Sequence, residues 1–169
     1  MDNRFNKDDF VVYGKNGVCL VDDIKTISFL GEEGEYYVLK PKSNKTSTLY
    51  VPLNKEELVS KIRAVISKKE IDKMLSSTDE KQLEWIENKT ERTEYFNSVV
   101  SAGNSQDLLK LVICIYLKKQ EKIGEGKKLS AMDEGVLKTA ERLIEEEFAF
   151  ALNCSADKAI KYIKSKLNK

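Results

Sequence analysis

The stretch KQLEWIENKTERTEYF, residues 81 to 96, holds the one tryptophan of the chain, Trp85, among lysines, an arginine and glutamates. An indole carried on a cationic surface can wedge into a base step from the minor groove while basic side chains hold the phosphates. Read as a helix at about 100° per residue, the stretch puts Trp85 within about 40° of Lys89, Arg92 and Phe96, and about 160° from Leu83. The same spacing fits a structural role, in which Trp85 leads a stripe of Phe96 and Val99 into a core and the cations snorkel at its rim. Periodicity leaves both readings open.

A second basic cluster lies further on. Between residues 110 and 128, Lys110, Lys118, Lys119, Lys122, Lys127 and Lys128 stand against only Glu121 and Glu125. Such an excess can contact a few phosphates if a duplex is presented to it; otherwise it is the solvated end of a helix. Over the whole chain, 29 basic residues meet 28 acidic ones, a net charge of +1. Autonomous, charge-driven DNA binding is not the expectation.

The absence of histidine removes Ser-His-Asp and Cys-His catalysis and histidine-bearing zinc sites, and three dispersed cysteines cannot form a four-thiolate site. Neither GxxxxGK[ST] nor GxGxxG occurs. Carboxylate pairs fall on helices of alternating charge, where they read as solvated faces. No enzymatic activity, metal or cofactor is therefore expected. Cys19, Cys114 and Cys154 have apolar neighbours and suit buried thiols in a reducing compartment. The run LLKLVICIYL is too short to span a bilayer, and MDNRFNKDDF has acids where a signal peptide is apolar. The expected protein is a cytoplasmic monomer without membrane contact.

Two kinds of element position these residues. DFVVYGKNGVCLVDDIKTISF holds two β-branched runs across Gly14-Lys15-Asn16-Gly17, a hairpin signal, and further turns are expected at residues 31–34 and 42–45. Four or five strands in about 50 residues imply a small antiparallel sheet or barrel. After Pro52 the period changes. Leu58, Ile62, Val65 and Ile66 lie at helical spacing, with Asn54 as N-cap, which predicts a short helix over about 55–66. Residues 67–78 read as a linker with a short helix, and 79–169 as a helical domain of four or five helices. Thr78, Asn104 or Ser105, Ser130 and Ser155 are the expected helix starts, and Gly103 the expected break. Two apolar stripes, one of Leu108, Leu109, Val112, Ile113 and Tyr116 and one from Val136 to Leu152, supply the core. The fold class is α+β.

DFVVYGKNGVCLVDDI, GEYYVLKP and LYVPL together resemble the amino-terminal module of CarD-type bacterial transcription regulators, a module shared with the transcription-repair coupling factor. The helical half is similar in order: the lone tryptophan, an arginine, a small-residue break, then GKKLSAMDEGVLKTAERLIEEEFAFAL. The resemblance implies a Tudor-like β-module that binds the β-subunit lobe of RNA polymerase, and a helical domain that contacts promoter DNA at the upstream edge of the melted region. Trp85 then matches the family's minor-groove wedge, which stabilises the open complex; the basic residues read from spacing and charge, Lys89, Arg92, Lys118, Lys119, Lys122, Lys127 and Lys128, are the expected DNA-binding set around it. Polymerase is expected to pair with the edge segment Ser47, Thr48, Leu49, Tyr50, Val51 and Pro52. Ile27 and Tyr50 stand where some members carry arginines at the polymerase contact, and Gly14 stands where a proline is common. The rival expectation is a helical protein–protein adaptor in which Trp85 is structural and touches no DNA.

Overall fold

β-branched and aromatic residues cluster in short runs over the first sixty positions, and in the computed structural model, which describes residues 4–77 and 82–167, this part of the chain forms a five-stranded antiparallel sheet. The strands are β1 (Phe10–Tyr13), β2 (Val18–Phe29), β3 (Glu32–Pro41), β4 (Leu49–Pro52) and β5 (Ile62–Ala64), in the order β4-β3-β2-β1-β5. One face buries Val11, Cys19, Val21, Tyr37, Leu39, Val51 and Ile62, with Phe5 against them. Each such aliphatic side chain contributes about 1.5–3 kcal/mol by leaving water. The chain divides after Val65 into two compact units.

The turns show why these strands meet in this register. Gly14 (φ +48°) and Gly17 (φ +71°) bracket a 3₁₀ turn between β1 and β2. A proline ring holds φ near about −65°, so this turn excludes proline at position 14. Between β2 and β3 the turn falls on Leu30 and Gly31, both at positive φ, rather than over residues 31–34 as expected. Positive φ at both central residues gives a two-residue hairpin the twist its strands need. Gly34 is thereby drawn into β3, opposite Ile27.

The predicted helix over 55–66 is corrected. Only one turn forms, α1 (Glu56–Val59), preceded by Lys55 rather than by a capping Asn54. Ile62 then pairs with Tyr13 as part of β5 and is fully buried. An open sheet edge satisfies more backbone groups than a second helical turn would, so tertiary pairing overrides the local period.

The second unit contains α2 (Lys68–Ser76), α3 (Lys89–Ala102), α4 (Ser105–Gly124), α5 (Ala131–Ala151) and α6 (Ala156–Leu167). Ser67 and Glu70 form a reciprocal capping box on α2, and the side chains of Asn88, Asn104 and Ser130 accept backbone N–H groups at the starts of α3, α4 and α5. Gly103 ends α3 in the left-handed conformation at φ +72°. The core joins Ile71, Leu75, Phe96, Leu108, Leu111, Ile115, Leu143 and Phe148. The stripe on α4 is turned from the expected one. Leu111 and Ile115 are fully buried, whereas Tyr116 is half exposed. Buried Glu147 accepts from the Ile66 N–H (3.0 Å) and the Ser105 hydroxyl (2.9 Å), tying the start of this unit to α4 and α5. Cys19 and Cys114 are buried and Cys154 partly so; burial raises the Cys114 thiol pKa, with Lys118 opposing.

β4 is an edge of the sheet, and its hydrogen-bond parity can be read. The Leu53 N–H donates to the Glu35 carbonyl (2.9 Å), and the register continues as Tyr37 with Val51 and Leu39 with Leu49. Alternation then turns the backbone groups of Leu49 and Val51 toward β3 and those of Tyr50 outward. Pro52 falls on the outward side, where its missing donor is tolerated. Val51→Pro should therefore break the sheet's own ladder and lower stability by on the order of 2–4 kcal/mol in a urea melt, whereas Tyr50→Pro should change it by no more than about 1 kcal/mol.

Candidate functional site

Trp85 is not on a helix. Residues 82–87 have no regular secondary structure, and α3 begins only at Lys89, with the Asn88 side chain accepting from the Glu91 N–H at 3.1 Å. The helical face that would group Trp85 with Lys89 therefore does not exist; the expected start at Thr78 lies outside the described residues.

Trp85 is instead brought to Arg92 and Lys118 by tertiary packing. The indole is half-buried against the helical core. Its ring meets Phe96 edge-on, with centroids 5.8 Å apart at 67°. The Arg92 guanidinium carbon lies 4.5 Å from the Trp85 ring centroid and the Lys118 ammonium 5.6 Å from it. Both are within cation–π range, where each contact contributes about 0.5–2 kcal/mol depending on desolvation.

Arg92 is not placed to hold a phosphate. It is only 7% exposed, and its Nε and Nη2 donate to the two carboxylate oxygens of Asp133, each at 3.1 Å. Its Nη1 donates to the carbonyls of Ile86 (2.9 Å) and Glu87 (3.1 Å). The expectation of Arg92 as a DNA contact is corrected on this geometry: the guanidinium supports Trp85 from within. Asp133 is in turn held by Ser130, whose hydroxyl donates to it at 2.7 Å and accepts its N–H at 3.1 Å. The Ser130–Asp133 spacing signals a helix start in the sequence, but nothing there marks Asp133 as the counter-ion of Arg92.

The lysines divide into two groups. Lys118 pairs with Glu121 (3.3 Å) and Glu87 (3.7 Å), Lys119 with Glu134 (2.9 Å), and Lys127 with Glu125 (3.4 Å). Partial desolvation pulls the Lys118 ammonium down, but hydrogen bonding and charge from Glu121 and Glu87 outweigh it and raise its pKa, so it stays cationic beside the indole. Lys89 and Lys128 are exposed and Lys122 is half-buried; none of the three forms an ion pair among the described residues.

In the first unit, Ser47 donates its N–H to the Asn44 carbonyl in the turn ahead of β4, Thr48 is exposed, and Leu49 and Val51 face the core. Tyr50, half exposed, points the other way. Ile27 shares that outer face, because it pairs with Gly34 while Tyr50 pairs with Val38, and Tyr36 lies between those two partners on β3. The structure thus brings Ile27, Tyr36 and Tyr50 onto one diagonal beside the open edge.

The buried pair yields a direct test of the seat. Arg92→Ala should strand the Asp133 carboxylate and destabilise the helical unit by about 3–5 kcal/mol. Trp85→Ala, which removes a half-buried ring, should cost less than the roughly 3–5 kcal/mol of a fully buried tryptophan. Thermal melts of both variants check the ranking.

Residues 5–66 match the family model of the CarD-like/TRCF RID domain. The match spans all five strands and α1. Residues 5–66, which make up nearly all of the first unit, are therefore a CarD-like/TRCF RID domain.

Proposed function

We propose that this polymerase-interacting regulator binds the β-subunit lobe by strand addition at β4 and uses Trp85 as a wedge that stabilises the open promoter complex. The observation that carries the DNA half is the placement of Trp85. Its neighbour Phe96 is fully buried, while the larger indole is only partly buried and lies against two cations. The polymerase half is supported by the edge position of β4, the outward backbone of Tyr50 and the shared face of Ile27, Tyr36 and Tyr50.

The energetics suit a tethered wedge. Unstacking a base step costs a few kcal/mol, more than one weakly charged surface recovers on intact duplex. At a fork already opened by polymerase, much of that cost has been met. A chain of net charge +1 needs little DNA affinity of its own when polymerase holds it nearby, since a short tether gives an effective concentration in about the millimolar range. Lys89, Lys122 and Lys128 are the phosphate contacts in this reading, and Lys118 and Arg92 hold the ring; Lys119 and Lys127 contribute more weakly, because Glu134 and Glu125 already neutralise them.

A second reading, with Trp85 purely structural in a protein–protein adaptor, draws on the edge-on contact with Phe96. Kinetics separate the two. Trp85→Ala should leave polymerase affinity unchanged and shorten open-complex lifetime about tenfold, in line with the roughly 1–3 kcal/mol of one base–aromatic contact. A lower melting temperature with an unchanged lifetime would favour the adaptor. Tyr50→Pro should do the reverse, weakening polymerase binding in a pull-down because the outward donor of the edge is lost.

A further inference from the structure

We infer that Asp133 is a positioning residue for Trp85, acting through Arg92, and that this buried pair sets the orientation in which the indole meets its target. The inference rests on the wedge reading of Trp85 and adds to it the group that aims the ring.

Four hydrogen bonds fix the Arg92 guanidinium: two to Asp133 and one each to the carbonyls of Ile86 and Glu87. The carbonyl bonds grip the backbone immediately after Trp85, and the guanidinium also lies 4.5 Å from the ring centroid. One group therefore controls both the path of the chain at Trp85 and the support beneath its side chain. Because the bonds to Asp133 are bidentate, they define the plane of the guanidinium as well as its position. Asp133 cannot follow if Arg92 shifts, since Ser130 holds it at the first turn of α5 and it is only 3% exposed.

A buried ion pair is a poor source of stability compared with apolar residues of the same volume, because two charges must be desolvated. Its distinctive contribution is geometric. Residues 82–87 lie outside regular secondary structure, so no helix or strand aims Trp85, and a wedge left to rotate freely would lose ordering entropy on each insertion. The Asp133–Arg92 pair removes that freedom beforehand.

The chain's single tryptophan makes the test site-specific. Asp133→Asn keeps the size of the side chain and removes the charge; Arg92→Lys keeps the charge and removes the fork. In full-length protein, both should raise the acrylamide quenching constant of Trp85 about twofold and speed its local anisotropy decay, with polymerase affinity unchanged. Both should also shorten open-complex lifetime, and adding Asp133→Asn to Trp85→Ala should shorten it no further, because Asp133 acts through the indole. Independent, multiplicative shortening in the double variant would overturn the inference, as would unchanged quenching and anisotropy in a folded single variant. If Asp133→Asn fails to fold, Arg92→Lys decides by the same readouts. If Trp85→Ala alone leaves the lifetime unchanged, the wedge reading fails, while the quenching data still report whether Asp133 seats the ring.

Discussion

Two opposite charges removed from water must stay together, and the Arg92–Asp133 pair imposes that demand on everything around Trp85. In a helix, the carbonyls of Ile86 and Glu87 would accept the N–H groups of residues 90 and 91. Here they accept from Arg92, and the Glu91 N–H turns to the Asn88 side chain instead. The late start of α3, the irregular course of 82–87 and the half-buried position of the only tryptophan are thus connected. Moving any one of them would leave a desolvated charge or carbonyl without a partner.

The same logic reorganises the basic cluster. Glu87 and Glu121 pair with Lys118, and Glu134 with Lys119, which holds both lysines in place. Lys118 sits over the indole, and Glu121 and Glu87 outweigh its desolvation and raise its pKa. Positive charge is therefore spent on fixing an aromatic side chain more than on broad attraction to phosphate. Under the proposed function, such a surface works by shape at short range and relies on the RID domain of the same chain for delivery.

In the first unit, backbone geometry has the corresponding role. A sheet needs an interior ladder and leaves its edges unpaired, and the parity of β4 decides which residue of Leu49–Pro52 offers its donor outward. That residue is Tyr50, not Val51, whose side chain and backbone both serve the sheet. Ile27 stands two strands away on the same outer face because the β2–β3 turn falls on Leu30 and Gly31, which sets Ile27 opposite Gly34.

Much of this was legible beforehand where the cause is local. Asn104, Ser130 and Ser155 mark helix starts because short polar side chains capture free N–H groups within three residues. Gly103 marks a helix end because it adopts positive φ without strain. The β-branched runs and the turn at Gly14–Gly17 are local in the same sense, and the motifs of residues 10–52 carry the family signature. Local patterning thus carried the α+β class, a strand-rich first half ahead of a helical second half, and the likeness of the first half to the RID domain. Tertiary structure decided what depends on distant partners. Ile62 joined a strand because β1 had an open edge, Tyr116 turned outward as Leu111 and Ile115 took the core, and Arg92 turned inward because Asp133, 41 residues away, completed its charge. Helical periodicity assigns faces on the assumption that the helix exists and that each charge prefers water. At Trp85 both assumptions fail, because α3 begins only after the indole and Arg92 is buried against Asp133.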